Sequence, residues 1–461
     1  MLTLKLFALL LLFCVCVSPT QWSDNVSQGC FCKLKGEVDD CSCKVESLDS
    51  LNNDKIYPRL SSLMRKNYFR YFKVNLQKQC PFWTDDSRCA LKDCHVKICE
   101  QDTVPIVDEK LNKQDTENKY SKEAQQADHS CEEERQLSAL DTTLSDENKQ
   151  AFQDWSDYDD SLDMFCEIDD EHSAELQYVD LLKNPERYTG YKGASPHRIW
   201  RSVYEENCFK PSEPVTYGPK EDNLSITEDW LQGMCLEKRA FYRMISGLHT
   251  SINIHLCDQY LQPAPTAFAS PKWGPNVKEF RKRFDPDTTE GQGPQRLKNL
   301  YFTYLVELRA MAKAAPYILQ EEFYTGNAEE DAEVRTAVKD FISVVRDFPD
   351  HFDERKLFQG NSAETQKLKR EFRDHFRNIS RIMDCVGCDK CKLWGKLQVL
   401  GMGTALKILF SGSSMGPEST VSADFKADFQ LSRTEIVAFF NAFSRLSSSI
   451  HAVETFRALL R

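Results

Sequence analysis

The sequence predicts a mainly helical protein, built as a single large domain with long loops. Three observations carry that reading. Gly and Pro stand at 18 each in 461 residues, low for a chain of this length. Neither βαβ alternation nor a GxGxxG phosphate loop is found. Apolar residues recur at helical spacing in several long windows, without internal repeats.

From the N-terminus, MLTLKLFALLLLFCVCVSPTQW places Lys5 ahead of an apolar stretch over 6–17, with small or turn-forming residues after it. That is the pattern of a secretory leader, assigned to 1–20, and it is too short to span a bilayer comfortably. The domain then covers 21–461. Later apolar stretches such as Tyr301–Leu308 are interrupted by Glu307 and Arg309, so no transmembrane helix is predicted. Of 18 cysteines, Cys14 and Cys16 leave with the leader, and oxidised pairing is expected for the remaining 16. Sequons at Asn25, Asn223 and Asn378 are compatible with glycosylation. The chain ends FRALLR, without a KDEL-type signal, so retention is expected to depend on a retained partner.

CFCKLKGEVDDCSC sets Cys30, Cys32, Cys41 and Cys43 as two CxC pairs, suited to a nested staple around a hairpin. CPFWTDDSRCALKDCHVKIC sets Cys80, then Cys89, Cys94 and Cys99 at equal x4 spacing. Cys94 can pair with either neighbour, so labile exchange and plain stapling both fit. Residues 101–150 hold one aromatic, Tyr120, and are rich in Asp, Glu, Lys and Gln. Such a stretch buries little apolar surface and reads as a long mobile loop. The acidic run over 154–175 reads as a solvated face, with docking of a basic partner as the alternative. The net charge of -12 and isoelectric point near 5.4 disfavour a nucleic-acid partner.

Four helical stripes follow. Residues 236–257 align Phe241, Ile245, Leu248, Ile252 and Leu256; GPQRLKNLYFTYLVELRAMAK aligns Leu297, Leu300, Tyr301, Tyr304, Leu305 and Leu308. Phe372, Phe376, Ile379 and Met383 form a third stripe. Ser432 and Glu435 form a capping box ahead of Ile436, Phe439, Phe440, Phe443 and Leu446.

Between the last two lies CVGCDKC, residues 385–391. Bacterial-type iron–sulfur clusters continue with a further Cys and Pro, whereas Lys392, Leu393 and Trp394 follow here. Zinc needs a fourth ligand, and the nearest, His375, is ten residues upstream of Cys385. No metal is expected. Cys388-Asp389-Lys390-Cys391 is instead a CxxC beside a helix, where the macrodipole, Lys390 and Lys392 favour the thiolate. Such a pair can pass two electrons to an adjacent flavin.

These stretches, with YVDLLKNPERYTGYKG, IWRSVYEENC, EKRAFYRMISGLHTSINIHL and DCVGCDKCKLWGKLQVLGMGTALKILF, resemble the endoplasmic reticulum oxidoreductin family from about Cys30 to the C-terminal helix. The resemblance implies a flavin-dependent thiol oxidase of the endoplasmic reticulum lumen, with FAD in a helix bundle. Reduced protein disulfide isomerase would be its electron donor and dioxygen the acceptor, giving hydrogen peroxide. It also implies peripheral association with the lumenal membrane face.

By motif position, Cys388 and Cys391 resemble the inner pair, and Cys89 and Cys94 the shuttle pair on a mobile loop over about 81–150. Cys80–Cys385, Cys208–Cys235, Cys30–Cys43 and Cys32–Cys41 are implied as structural bridges. Cys89–Cys131 with Cys94–Cys99 is implied as a regulatory alternative, and Cys166 is a candidate for the reshuffling; Cys257 is unassigned. Arg187, Thr189, Trp200, Ser246, His249, Arg283 and Arg296 match the family's FAD contacts. The residues alone would read His249 and Trp200 as core and the arginines as surface charges; the resemblance moves them. A secreted, disulfide-stapled binding protein would explain the leader and cysteine number, but poorly the late CxxC. A thioredoxin-like isomerase would need a βαβ unit around Cys388.

Overall fold

The computed structural model describes residues 45–84, 88–89, 91–100, 164–167, 169, 173, 175–207, 235–264, 270–346, 352–359, 363–411 and 429–460. The leader, the CxC hairpin, the 101–150 loop, Cys131, Cys208, Asn25 and Asn223 lie outside them.

All four stripes are helices. The first is α5 (Leu236–Asp258), the second α7 (Gln292–Ile318), the third α9 (Ala363–Ile382), and the last α11 (Arg433–Leu460). CVGCDKC leads into α10 (Asp389–Leu409). Helix α5 packs along α7 and α10 along α11, and contacts of α5 with α11 and of α7 with α10 close the bundle. Side chains on nearly every face of α7 are buried, including Leu297, Tyr301, Leu305 and Met311. That is the pattern of a central helix rather than a half-buried one. At Gly247 the α5 backbone approaches α7 so closely that a Cβ would lie 2.4 Å from the Asn299 carbonyl oxygen.

The capping box forms as expected. Ser432 N donates to Glu435 Oε2 at 2.8 Å, and Glu435 N donates to Ser432 Oγ at 3.2 Å.

Around the bundle sit α1 (Val45–Ser50), α2 (Tyr57–Leu63), α3 (Asn67–Arg70), α4 (Ala194–Asn207), α6 (Val277–Phe284) and α8 (Ala328–Arg346). The described strands form three two-stranded antiparallel pairs. β1 (Tyr71–Val74) pairs with β3 (Gln177–Asp180), β2 (Arg88–Cys89) with β4 (Tyr191–Lys192), and β5 (Tyr260–Gln262) with β6 (Lys272–Gly274). No βαβ unit surrounds Cys388 among the described residues, which disposes of the thioredoxin-like alternative. None of the described helices is long and apolar enough to cross a membrane.

Burial adds one feature the sequence did not show, at Glu307, and corrects two expectations, for the acidic run and for Asn378. Glu307, which interrupts the apolar run in the sequence, is fully buried without a hydrogen-bond partner among the described residues. Burial pushes its carboxyl well above the usual range. The described end of the acidic run is not a solvated face: Lys78 ion-pairs Glu167 at 2.8 Å, Lys396 ion-pairs Asp169 at 3.4 Å, and Phe165 and Cys166 are buried. Asn378 is buried, donating from Nδ2 to Glu206 Oε2 at 3.1 Å and accepting from Arg381 at 3.1 Å. In this packing its carboxamide is engaged by protein partners and is not open to a sugar.

Candidate functional site

The site is assembled at the N-terminus of α10. Cys388 is its N-cap, fully buried, and its Sγ accepts from Cys391 N at 3.2 Å. The orphan N–H groups and dipole of the helix start therefore meet at sulfur. Cys388 and Cys391 are bonded to each other, as are Cys89 and Cys94, and Cys80 and Cys385. The last bridge spans 305 residues and ties the segment before the shuttle to the turn that opens α10.

The CxxC pair and the x4-spaced shuttle pair meet. The sulfurs of Cys89, Cys94 and Cys388 all lie within 4.8 Å of one another. Of the shuttle pair, Cys94 is buried and Cys89 half-buried, so Cys94 faces the inner pair from within and Cys89 is the more open sulfur.

Local structure explains the meeting. Strand β2 places Cys89 opposite Tyr191 of β4. The Tyr191 hydroxyl in turn accepts from Gly387 N at 2.8 Å, holding the turn before Cys388. Gly190, at φ 65°, makes the left-handed step that joins Thr189 to β4. The far end of the shuttle segment is fastened by Lys97 N donating to Asn184 Oδ1 at 2.7 Å and by the Asn184 amide donating to Lys97 O at 2.8 Å. Trp394 Nε1 donates to Asn184 O at 2.8 Å, so the same asparagine holds α10. Lys390 is buried, and burial lowers its pKa while Asp93 opposes the shift. Lys392, expected beside the thiols, instead donates to Leu76 O at 3.3 Å and Lys78 O at 3.4 Å.

The segment 184–191 runs from this site to α5. His255 Nε2 lies 3.0 Å from Glu186 O, and Tyr188 N donates to Gln259 O at 3.1 Å. Farther along α5, His249 stacks on Trp200 of α4 with ring centroids 3.5 Å apart and 17° between planes. Its Nδ1 lies 2.8 Å from the Tyr204 hydroxyl. Burial, then Arg296, then Arg283 push the His249 pKa down from 6.5 to about 3. Arg296 Nη1 donates to Arg283 O at 3.2 Å, and Arg283 bonds Asn253 of α5. Ser246 Oγ accepts from Asn299 Nδ2 at 2.9 Å. Arg187 lies 4.8 Å over the Trp273 ring, its Nε buried without a hydrogen-bond partner among the described residues.

Trp200, Ser246, His249, Arg283 and Arg296 thus share one region, while Thr189 stands at the sulfurs and Arg187 on the strip between. Flat faces at Trp200 and neutral His249, the paired arginines, and an orphaned guanidinium nitrogen at Arg187 suit a group carrying a diphosphate and planar rings. Sequence reasoning missed Tyr204, Asn253, Asn299, Trp273 and Tyr191. Tyr204 alone left a signal, four residues after Trp200 on the same helix face.

The other thiols divide. Cys166 is buried, its Sγ 3.2 Å from Val399 O, and burial holds its pKa far above the ordinary value, which marks an inert thiol in this conformation. Cys257 is buried and pushed up to about 12. Cys99 forms no disulfide among the described residues and is half-buried, with its N donating to Tyr178 O at 2.9 Å. Cys235 is exposed at the start of α5; its expected partner, Cys208, is outside the described residues.

An acid-side loss of stability is expected from the site. A histidine depressed to about 3 in the fold binds fewer protons than the unfolded chain at 6.5. Its contribution is therefore intact above pH 6.5 and is lost as pH falls toward 3. His255, depressed to about 4 chiefly by burial, acts the same way. Urea denaturation at a series of pH values should show the slope between 6.5 and 4, and His249→Phe should flatten part of it.

The chain matches the family described as Endoplasmic Reticulum Oxidoreductin 1 over residues 55–453. It is 53% identical to an Ero1-like protein of Drosophila melanogaster, across 95% of this chain and 92% of that one. It is 49% identical to ERO1-like protein alpha of Homo sapiens, across 95% and 93%. Among solved structures it is similar to a mutant of S. cerevisiae Ero1p, with a TM-score of 0.56, 30% identity, and coverage of 90% of this chain and 97% of that one. Ero1p itself, described as the source of disulfide bonds for oxidative protein folding in the cell, matches with 28% identity and a TM-score of 0.56, over 90% and 97%.

Proposed function

The chain belongs to the Endoplasmic Reticulum Oxidoreductin 1 family, and from that premise we propose that it is a thiol oxidase of the endoplasmic reticulum lumen that makes disulfides for protein folding. The observation that carries the reading is the convergence of the Cys89, Cys94 and Cys388 sulfurs within 4.8 Å.

The residues divide the work by exposure. Reduced protein disulfide isomerase attacks Cys89, the open sulfur, forming a mixed disulfide and releasing Cys94 as the thiolate. A second isomerase thiolate resolves the mixed disulfide, leaving both shuttle thiols reduced. Cys94, already buried against the inner pair, attacks Cys388 and displaces Cys391. Cys89 then attacks Cys94, restoring the shuttle disulfide and releasing Cys388 at the helix N-cap, where negative charge is favoured. FAD, held by Arg187, Thr189, Trp200, Ser246, His249, Arg283 and Arg296, would supply two-electron oxidation of the inner dithiol and delivery to dioxygen, with hydrogen peroxide as product. Re-pairing of Cys89 with Cys131 and of Cys94 with Cys99 would break the relay at its first step, since neither shuttle sulfur would then be free to exchange.

The test is an oxygen electrode. Purified protein mixed with reduced isomerase should consume oxygen and form peroxide and isomerase disulfide in equal amounts. A protein that binds the isomerase and consumes no oxygen overturns the reading in favour of a binding protein.

A further inference from the structure

Resting on that reading, we infer that the Thr189 hydroxyl is a catalytic hydrogen-bond donor to the sulfur that leaves when the shuttle attacks the inner disulfide. Thr189 Oγ1 lies 3.4 Å from Cys391 Sγ and 3.7 Å from Cys388 Sγ. Its backbone oxygen lies 3.8 Å from Cys94 Sγ. One buried residue therefore touches the attacking sulfur, the attacked sulfur and the leaving sulfur. Among the described residues its hydroxyl has no other hydrogen-bond partner.

The step balances internally. The Cys94 thiolate forms a bond to Cys388 Sγ, the Cys388–Cys391 bond breaks, and the electron pair leaves on Cys391. In a disulfide neither sulfur has a proton to give, so Thr189 O–H is the donor. A sulfur that becomes an anion accepts more strongly than a disulfide sulfur, so the bond strengthens as charge develops. The contact is assigned to leaving-group stabilisation because it is nearest to Cys391, the inner sulfur outside the three-sulfur cluster.

Other charged and titratable groups lie on the elements that meet at the start of α10, acting on Lys390 and Asp389. Asp389, Lys390 and Lys392 lie on its own helix; Asp93, His95 and Lys97 come from the shuttle segment, and Arg187 and Tyr191 from the strip that carries Thr189. Lys390, Lys97 and Arg187 favour a thiolate and the aspartates oppose it, while Lys392 is engaged by the Leu76 and Lys78 carbonyls; among the described contacts, Thr189 Oγ1 is the hydroxyl within reach of Cys391 Sγ.

The experiment measures the Cys391 thiol directly in the full chain. In a Cys388→Ser background, Cys391 is alkylated with iodoacetamide across pH and quantified by peptide mass spectrometry, with Thr189 intact, Thr189→Ser and Thr189→Val. The valine variant should raise the alkylation midpoint by about one pH unit, as expected for one lost hydrogen bond to an anion, and serine should restore it. An unchanged midpoint with valine overturns the assignment. So does an equal shift with valine and serine, since packing rather than the hydroxyl would then be at work. Should valine not fold by circular dichroism, Thr189→Ala is scored by the same criteria. The measurement needs neither oxygen nor isomerase. Oxygen consumption by the wild type together with a Cys391 midpoint that ignores residue 189 in the Cys388→Ser series overturns this inference and leaves the oxidase reading standing; a midpoint that shifts with valine in a protein whose wild type consumes no oxygen overturns the oxidase reading and leaves the hydrogen bond to Cys391 standing.

Discussion

Cys391→Ala and Cys89→Ala each bring isomerase-driven oxygen consumption to background, a loss of at least about a thousandfold, because a serial relay has no parallel route around a missing sulfur. The two losses differ in what rescues them. Cys89 is half-buried at the outer end and Cys391 half-buried at the inner end, while Cys388 between them is fully buried. A bulky protein thiol can reach only the outer pair, whereas a small dithiol can reach Cys391. Dithiothreitol should therefore restore part of the turnover of Cys89→Ala and none of that of Cys391→Ala. An oxygen electrode run with isomerase and then with dithiothreitol separates them. If Cys89→Ala still turns over with isomerase, the shuttle is dispensable and the relay as drawn is wrong.

The helices were legible because each buries a stripe, and a stripe is written in consecutive residues. Ile436, Phe439, Phe440, Phe443 and Leu446 mark α11, and Ser432 with Glu435 marks where it starts, all within one window of sequence. The CxxC was legible as chemistry for the same reason, since Cys388 and Cys391 are neighbours on one turn. What spacing could not give is anything held by distant parts of the chain. Thr189 and Cys391 are 202 positions apart, and no local signal at Thr189 separates a hydroxyl aimed at sulfur from an ordinary turn residue.

The same limit explains the corrections. Glu167 and Asp169 look like part of a solvated acidic run because their partners, Lys78 and Lys396, are far away in sequence. Lys392 looks like a thiol activator until the carbonyls of Leu76 and Lys78 are folded against it. The arginines of the diphosphate-compatible region, Arg283 and Arg296, sit at separate helix starts and ends; their joint effect on His249 exists only in the fold.

Replacing both Cys80 and Cys385 by serine should cost more stability than any other structural change here, about 5–6 kcal/mol by chain-entropy reasoning for a long closed loop, measured by urea denaturation. The bridge closes a loop of 305 residues, which removes many unfolded conformations. Its functional cost should be smaller than its thermodynamic one. The segment before the shuttle is held a second time by Lys396 Nζ donating to Asn75 O at 3.2 Å and by Lys392 Nζ donating to Leu76 O and Lys78 O. Lys396 is also paired with Asp384 at 2.7 Å, next to Cys385. These bonds hold the shuttle segment against α10 while the molecule stays folded, so the double variant should transfer electrons at a rate within about tenfold of wild type at low urea. Lys396→Ala added to it should then slow transfer further, by more than Lys396→Ala does in the intact bridge. If the double variant alone loses all turnover while remaining folded, the disulfide itself aligns the two sulfur pairs, and the lysine contacts are incidental.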